Sequence, residues 1–89
     1  MRPFCIECVT KHVGQALVLL METKKGYPHH FIYAVGHLAE AEDESVEKAP
    51  DIAHVIRELR IEIMNGNDID FDDVANNIMK WRSKYAEST

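Results

Sequence analysis

The chain has little with which to hold nucleic acid, cross a membrane or build a sheet. Ten lysines and arginines stand against fifteen aspartates and glutamates, a net charge of −5. Phosphate binding needs concentrated positive charge, so nucleic acid is not the expected main partner. No apolar stretch approaches the roughly 20 residues that span a bilayer, and no membrane contact is expected. The start, Met1-Arg2-Pro3-Phe4-Cys5, lacks the apolar segment of a secretory leader. Glycine-rich phosphate loops and Ser-His-Asp arrangements are missing too, which argues against the commonest enzyme chemistries. Cysteine is scarce, with two in 89 residues. With no export signal, that pair is expected to be reduced and ligating rather than bridged.

What is present is helical periodicity. Ile6, Val9, Val13, Ala16, Leu17 and Leu20 form one apolar stripe, entered at Pro3 and ended by Lys24-Lys25-Gly26. Tyr27-Pro28 restarts the chain, and Phe31, Ala34, Val35, Leu38, Ala41 and Ser45 mark a second helix. Gly36 within it is read as a place where a neighbouring backbone comes close. Its acidic end, Glu40 to Glu47, opposes the macrodipole and is read as a solvated face unless a cation compensates it. Pro50-Asp51 opens a third helix with the stripe Ile52, Val55, Ile56, Leu59 and Ile63, ended by Asn65-Gly66.

In the fourth, Asp70 caps the start, Ile69 and Val74 are spaced as a staple, and Phe71, Val74, Ile78, Trp81 and Tyr85 form the stripe. The expected fold is therefore all-α: one domain over 1–89, with a helical hairpin over 1–47 and two further helices over 48–89. A chain this short buries only about 60–65% of its unfolded surface, so a metal or a partner would add useful stability. The run Asp68 to Asp73 does not fit a calcium loop, because neither a glycine at position six nor a glutamate at position twelve is in register.

The chemistry gathers in Cys5-Ile-Glu-Cys8-Val-Thr-Lys-His12. Thiolate and imidazole are the donors zinc prefers, and Cys-x-x-Cys is a common half of a tetrahedral site. On a straight helix Cys5 and His12 would stand about 10.5 Å apart along the axis, so Cys5 is expected in a turn just before the helix. Folding the first two helices into a hairpin about Gly26 brings His37 within a turn of His12. The expected ligands of Zn²⁺ are Cys5, Cys8, His12 and His37, with Glu44, Glu40 and His54 as alternatives for the fourth. The competing reading is two small buried cysteines and a hydrogen-bonded histidine. His29-His30, in the first turn of the second helix, is read as a surface pair.

Cys-x-Glu-Cys-x-x-Lys-His in the first helix, Gly26-Tyr27-Pro28 in the turn and Gly36-His37-Leu38-Ala39-Glu40-Ala41-Glu42 in the second resemble a group of small bacterial and phage proteins with no assigned activity. The resemblance covers about the first half of the chain. It implies a setting, the cytoplasm of a bacterial host or a virion, and names no ligands.

Three functions are open at this point. The first is a zinc-clamped structural protein that binds another protein or its own copies, for example in a phage assembly. The second is a regulatory nucleic-acid-associated zinc protein using Lys80, Arg82 and Lys84. The third is a metal enzyme with one open coordination position. The aromatic stripe of the fourth helix is read as a partner contact in at least part, with the core as its alternative.

Overall fold

The computed structural model describes residues 4–24, 26 and 30–86. The expectations placed on Pro3, Lys25, Tyr27, Pro28 and His29 lie outside these residues. Four helices follow in order: α1 (Ile6–Lys24), α2 (His30–Ser45), α3 (Pro50–Met64) and α4 (Phe71–Tyr85). The described residues contain no strand.

The helices begin and end where backbone chemistry requires. Asp70 accepts the Asp73 amide through its side chain at 3.1 Å and so caps α4. Pro50 opens α3 behind a buried Ala49. Gly66, at φ +78°, closes α3 with two bonds, its own amide to Ile63 O and that of Asn67 to Glu62 O, each 3.0 Å. That pairing satisfies carbonyls the last turn would leave open.

The hairpin of α1 and α2 forms the spine; α3 packs on α2 and α4 on α1. The body measures 39 × 25 × 17 Å, a slab about as thick as two helices. Its core joins Val9, Val13 and Ala16 of α1 to Leu38 and Ala41 of α2, Ile52 and Ile56 of α3, and Trp81 of α4. Buried hydroxyls are satisfied: Thr10 donates to Ile6 O at 2.8 Å and accepts from Arg82 Nε at 2.9 Å. Ser45 donates to Ala41 O at 2.8 Å. At the far side Asp51, in the first turn of α3, meets Lys84 and Tyr85 at the end of α4.

Four sequence expectations change. Trp81 and Val74 are buried, and Phe71, Ile78 and Tyr85 pack against the same core, so the aromatic stripe of α4 is covered in large part by this chain itself. Gly36 meets nothing within 4 Å of where a Cβ would stand, so it admits no close neighbour. The acidic end of α2 is not merely solvated, since Arg60 of α3 reaches Glu42 at 2.8 Å and compensates it. His30 is half-buried and meets Glu22 at 2.7 Å, tying the start of α2 to the end of α1.

Candidate metal centre

The first turn of α1 is anchored from below. Ile6 and Val9 are buried, and the Phe4 ring packs edge-on against Tyr85 with centroids 5.5 Å apart. This fixes Cys5 immediately before the helix and Cys8 in its first turn, facing outward. Cys5 Sγ accepts the Cys8 amide N–H at 3.2 Å, taking the place a capping oxygen usually fills. The Val9 amide closes the first helical turn on Cys5 O at 3.1 Å. Cys8 is exposed and Cys5 half-buried, and both are free thiols.

One turn further on, His12 reaches across the hairpin. Its Nδ1 lies 3.0 Å from His37 Nδ1, with the rings 5.3 Å apart. Its other nitrogen, Nε2, lies 3.8 Å from Glu44 Oε1. Donor atoms of His12, Glu40 and Glu44 all fall within 4.8 Å of one another. Cys8, Lys11, His12, Gln15 and His37 line an outward-facing pocket of about 500 Å³ on the same groove. Helical spacing explains the gathering: Cys8, His12 and Gln15 make one stripe of α1, and His37, Glu40 and Glu44 make one of α2.

Among the residues singled out in the sequence, His12 and His37 are thus brought together across the hairpin, and Cys5 and Cys8 within one turn. Cys8 shares the pocket with both histidines. Of the alternatives, Glu44 and Glu40 stand beside His12, whereas His54 is exposed on α3. What sequence reasoning left unspecified is the use of both His12 nitrogens. The spacing of His37, Glu40 and Glu44 carried that signal, but ring orientation is not written in spacing.

The site is electronegative. A hydrogen bond with Cys5 raises the Cys8 thiol above its ordinary value, followed by desolvation and the negative charge of Cys5, Glu44 and Glu7. This outweighs the lowering that a helix N-terminus gives a thiol. A bound cation would reverse the balance, because a coordinating thiol is deprotonated outright.

Two nitrogens on one tetrahedral zinc, with bonds of about 2.0–2.1 Å, stand about 3.3 Å apart. The His12–His37 separation is close to that. The same distance fits a hydrogen bond between neutral rings, one donating and one accepting. Glu44 stands on the Nε2 side of His12, away from the nitrogen that faces His37. No family model, curated protein or solved structure matches the chain.

Proposed function

We propose that the protein is a small zinc-binding structural protein that works by contact with other proteins or further copies of itself. Zinc would be held by Cys5, Cys8, His12 and His37, with Glu44 as the outer partner of His12. The supporting observation is the 3.0 Å approach of two Nδ1 atoms from different helices, opening on the pocket that Cys8 also lines. An ion there joins the start of α1 to the middle of α2, the two helices on which the rest of the slab is built. Apolar exposure supports a contact role: Ile32 and Tyr33 on α2 are 68% and 61% exposed, with Val18 and Met21 half-exposed on α1. The bacterial or phage setting rests on the sequence resemblance alone.

Metal content measured together with native mass tests this reading. About one zinc per chain is expected, lost in Cys8→Ser with a fall in melting temperature. Full stability of the wild type after metal removal would sink it.

The grouping of His12, Glu40 and Glu44 favours a second reading, an ion on His12 Nε2 and the two carboxylates with positions open to solvent. That donor set suits a metal enzyme rather than a closed structural site. Loss of metal in Glu40→Gln, with retention in Cys8→Ser, would select it. The nucleic-acid reading loses support, because Arg82 is bound to Thr10 and Lys84 to Asp51.

A further inference from the structure

The same cysteine pair has a second chemistry open to it. Cys5 precedes α1 and its sulfur is turned back over the first turn, where it accepts the Cys8 amide at 3.2 Å. The turn between them is already closed by Val9 N–H on Cys5 O at 3.1 Å. Residues three apart in such a turn have Cα atoms about 5 Å apart, inside the range that a disulfide bridges. Cys8 is exposed at the outer end of the groove, so a small oxidant can reach it without opening the core. The anchors of this turn, Ile6, Val9 and the Phe4–Tyr85 contact, face the core, whereas Cys8 is exposed.

We propose that Cys5 and Cys8 form a modification site, an intramolecular disulfide made by exchange with a low-molecular-weight disulfide, and that this bridge excludes metal from the groove. The second half of the proposal rests on the zinc reading above; the first half does not. The Cys8 thiolate attacks one sulfur of the small disulfide, forming a mixed disulfide and expelling one thiolate. The Cys5 thiolate then attacks the Cys8 sulfur, forming the Cys5–Cys8 bond and expelling the second thiolate. Two protein thiols are oxidised by two electrons, and the small disulfide is reduced to two thiols. Bridged sulfurs are no longer thiolates, so two of four donors are withdrawn at once. His12 and His37 remain as a pair that cannot complete a tetrahedral shell.

Oxidised glutathione is the probe, applied to the full chain in metal-free and zinc-loaded form. Intact mass, thiol titration and a zinc indicator are the readouts. In the metal-free chain the mass should fall by about 2 Da, both thiols should disappear and no glutathione should remain attached. Dithiothreitol should restore both thiols. In the zinc-loaded chain, release should rise in step with the disulfide, about one ion per bridge. Cys5→Ser should instead trap glutathione on Cys8. Stable glutathione on both cysteines of the wild type, or no reaction, overturns the disulfide while leaving zinc binding intact. A disulfide that forms normally in a chain that never bound zinc overturns the metal coupling and the zinc reading together. A bridged chain that keeps its zinc overturns the coupling alone.

Discussion

His12 shows how much one side chain can organise. Its Nδ1 faces His37 at 3.0 Å and its Nε2 faces Glu44 at 3.8 Å, so the ring cannot serve both readings of the site with one nitrogen. If the ion sits on Nδ1, Glu44→Gln should weaken zinc binding about 10- to 100-fold, as loss of an outer partner does, whereas His37→Ala should abolish tight binding. Competition against a zinc indicator measures both. Equal loss in the two variants would mean that Glu44 is itself a ligand. Residue types and spacing made the approach of His12 to His37 and that of Cys8 to Cys5 legible in the sequence, because hairpin register and a three-residue step fix them. The rotation of an imidazole is decided by neighbours on another helix, and nothing local encodes it. Gly36 misled for a similar reason, since a small residue in a helix signals either a close neighbour or nothing. Open space around it means that Gly36→Ala should stabilise the protein by about 0.5–1 kcal/mol, read from denaturant unfolding. Destabilisation would show a neighbour closer than the 4 Å clearance allows.

At the scale of elements, α3 and α4 hardly touch, yet one cluster ties the start of the first to the end of the second. Desolvation works to raise the Asp51 carboxyl, but hydrogen bonds from Tyr85 at 2.6 Å and Lys84 at 2.9 Å, with the Lys84 charge, outweigh it and hold it below its ordinary value. The bond to Asp51 in turn raises both Lys84 and Tyr85. A depressed carboxyl stabilises the fold above the unfolded value, about 3.9, and loses that contribution as pH falls through the folded one. A raised tyrosine or lysine contributes fully below its unfolded value, about 10, and loses it as pH rises through the folded one. The melting temperature of the wild type should therefore exceed that of Asp51→Asn by a constant, small margin between about pH 5 and 9. That margin should close at both extremes, and a gap that persisted at pH 2 would show that Asp51 acts through helix capping or packing instead. Periodicity made all four helices legible with their main starts and stops. Cross-links such as Asp51–Tyr85 and Arg60–Glu42 were not, because they join positions whose approach depends on how whole helices cross.

The place of α4 is decided by the whole molecule. Its stripe was legible, but an apolar stripe is silent about whether its cover comes from the same chain or another. Here the cover is α1. Trp81 and Val74 are each 7% exposed, Tyr85 packs on Phe4, and Arg82 reaches the buried Thr10. Met79, on the other side of the helix, is 70% exposed. Replacing a buried tryptophan by alanine costs about 3–5 kcal/mol. A domain of this length has a total stability of about 4–13 kcal/mol, so that single loss removes much of it. Trp81→Ala should therefore unfold far more readily than the wild type, whereas Met79→Ala should change stability by less than about 0.5 kcal/mol. Truncation before Ile69 goes further, because it removes the cap on α1, the Phe4 contact and the partner of Thr10 together. The fragment 1–68 should lose cooperative unfolding, and with it the register that brings His12 to His37. On the zinc reading, excess ion should restore part of that register through binding energy, so circular dichroism should be followed with and without it. A metal-free fragment that unfolds cooperatively would show that α1 to α3 suffice as a core. In that case α4 would be a detachable cover, and its aromatic stripe would again be available to a partner.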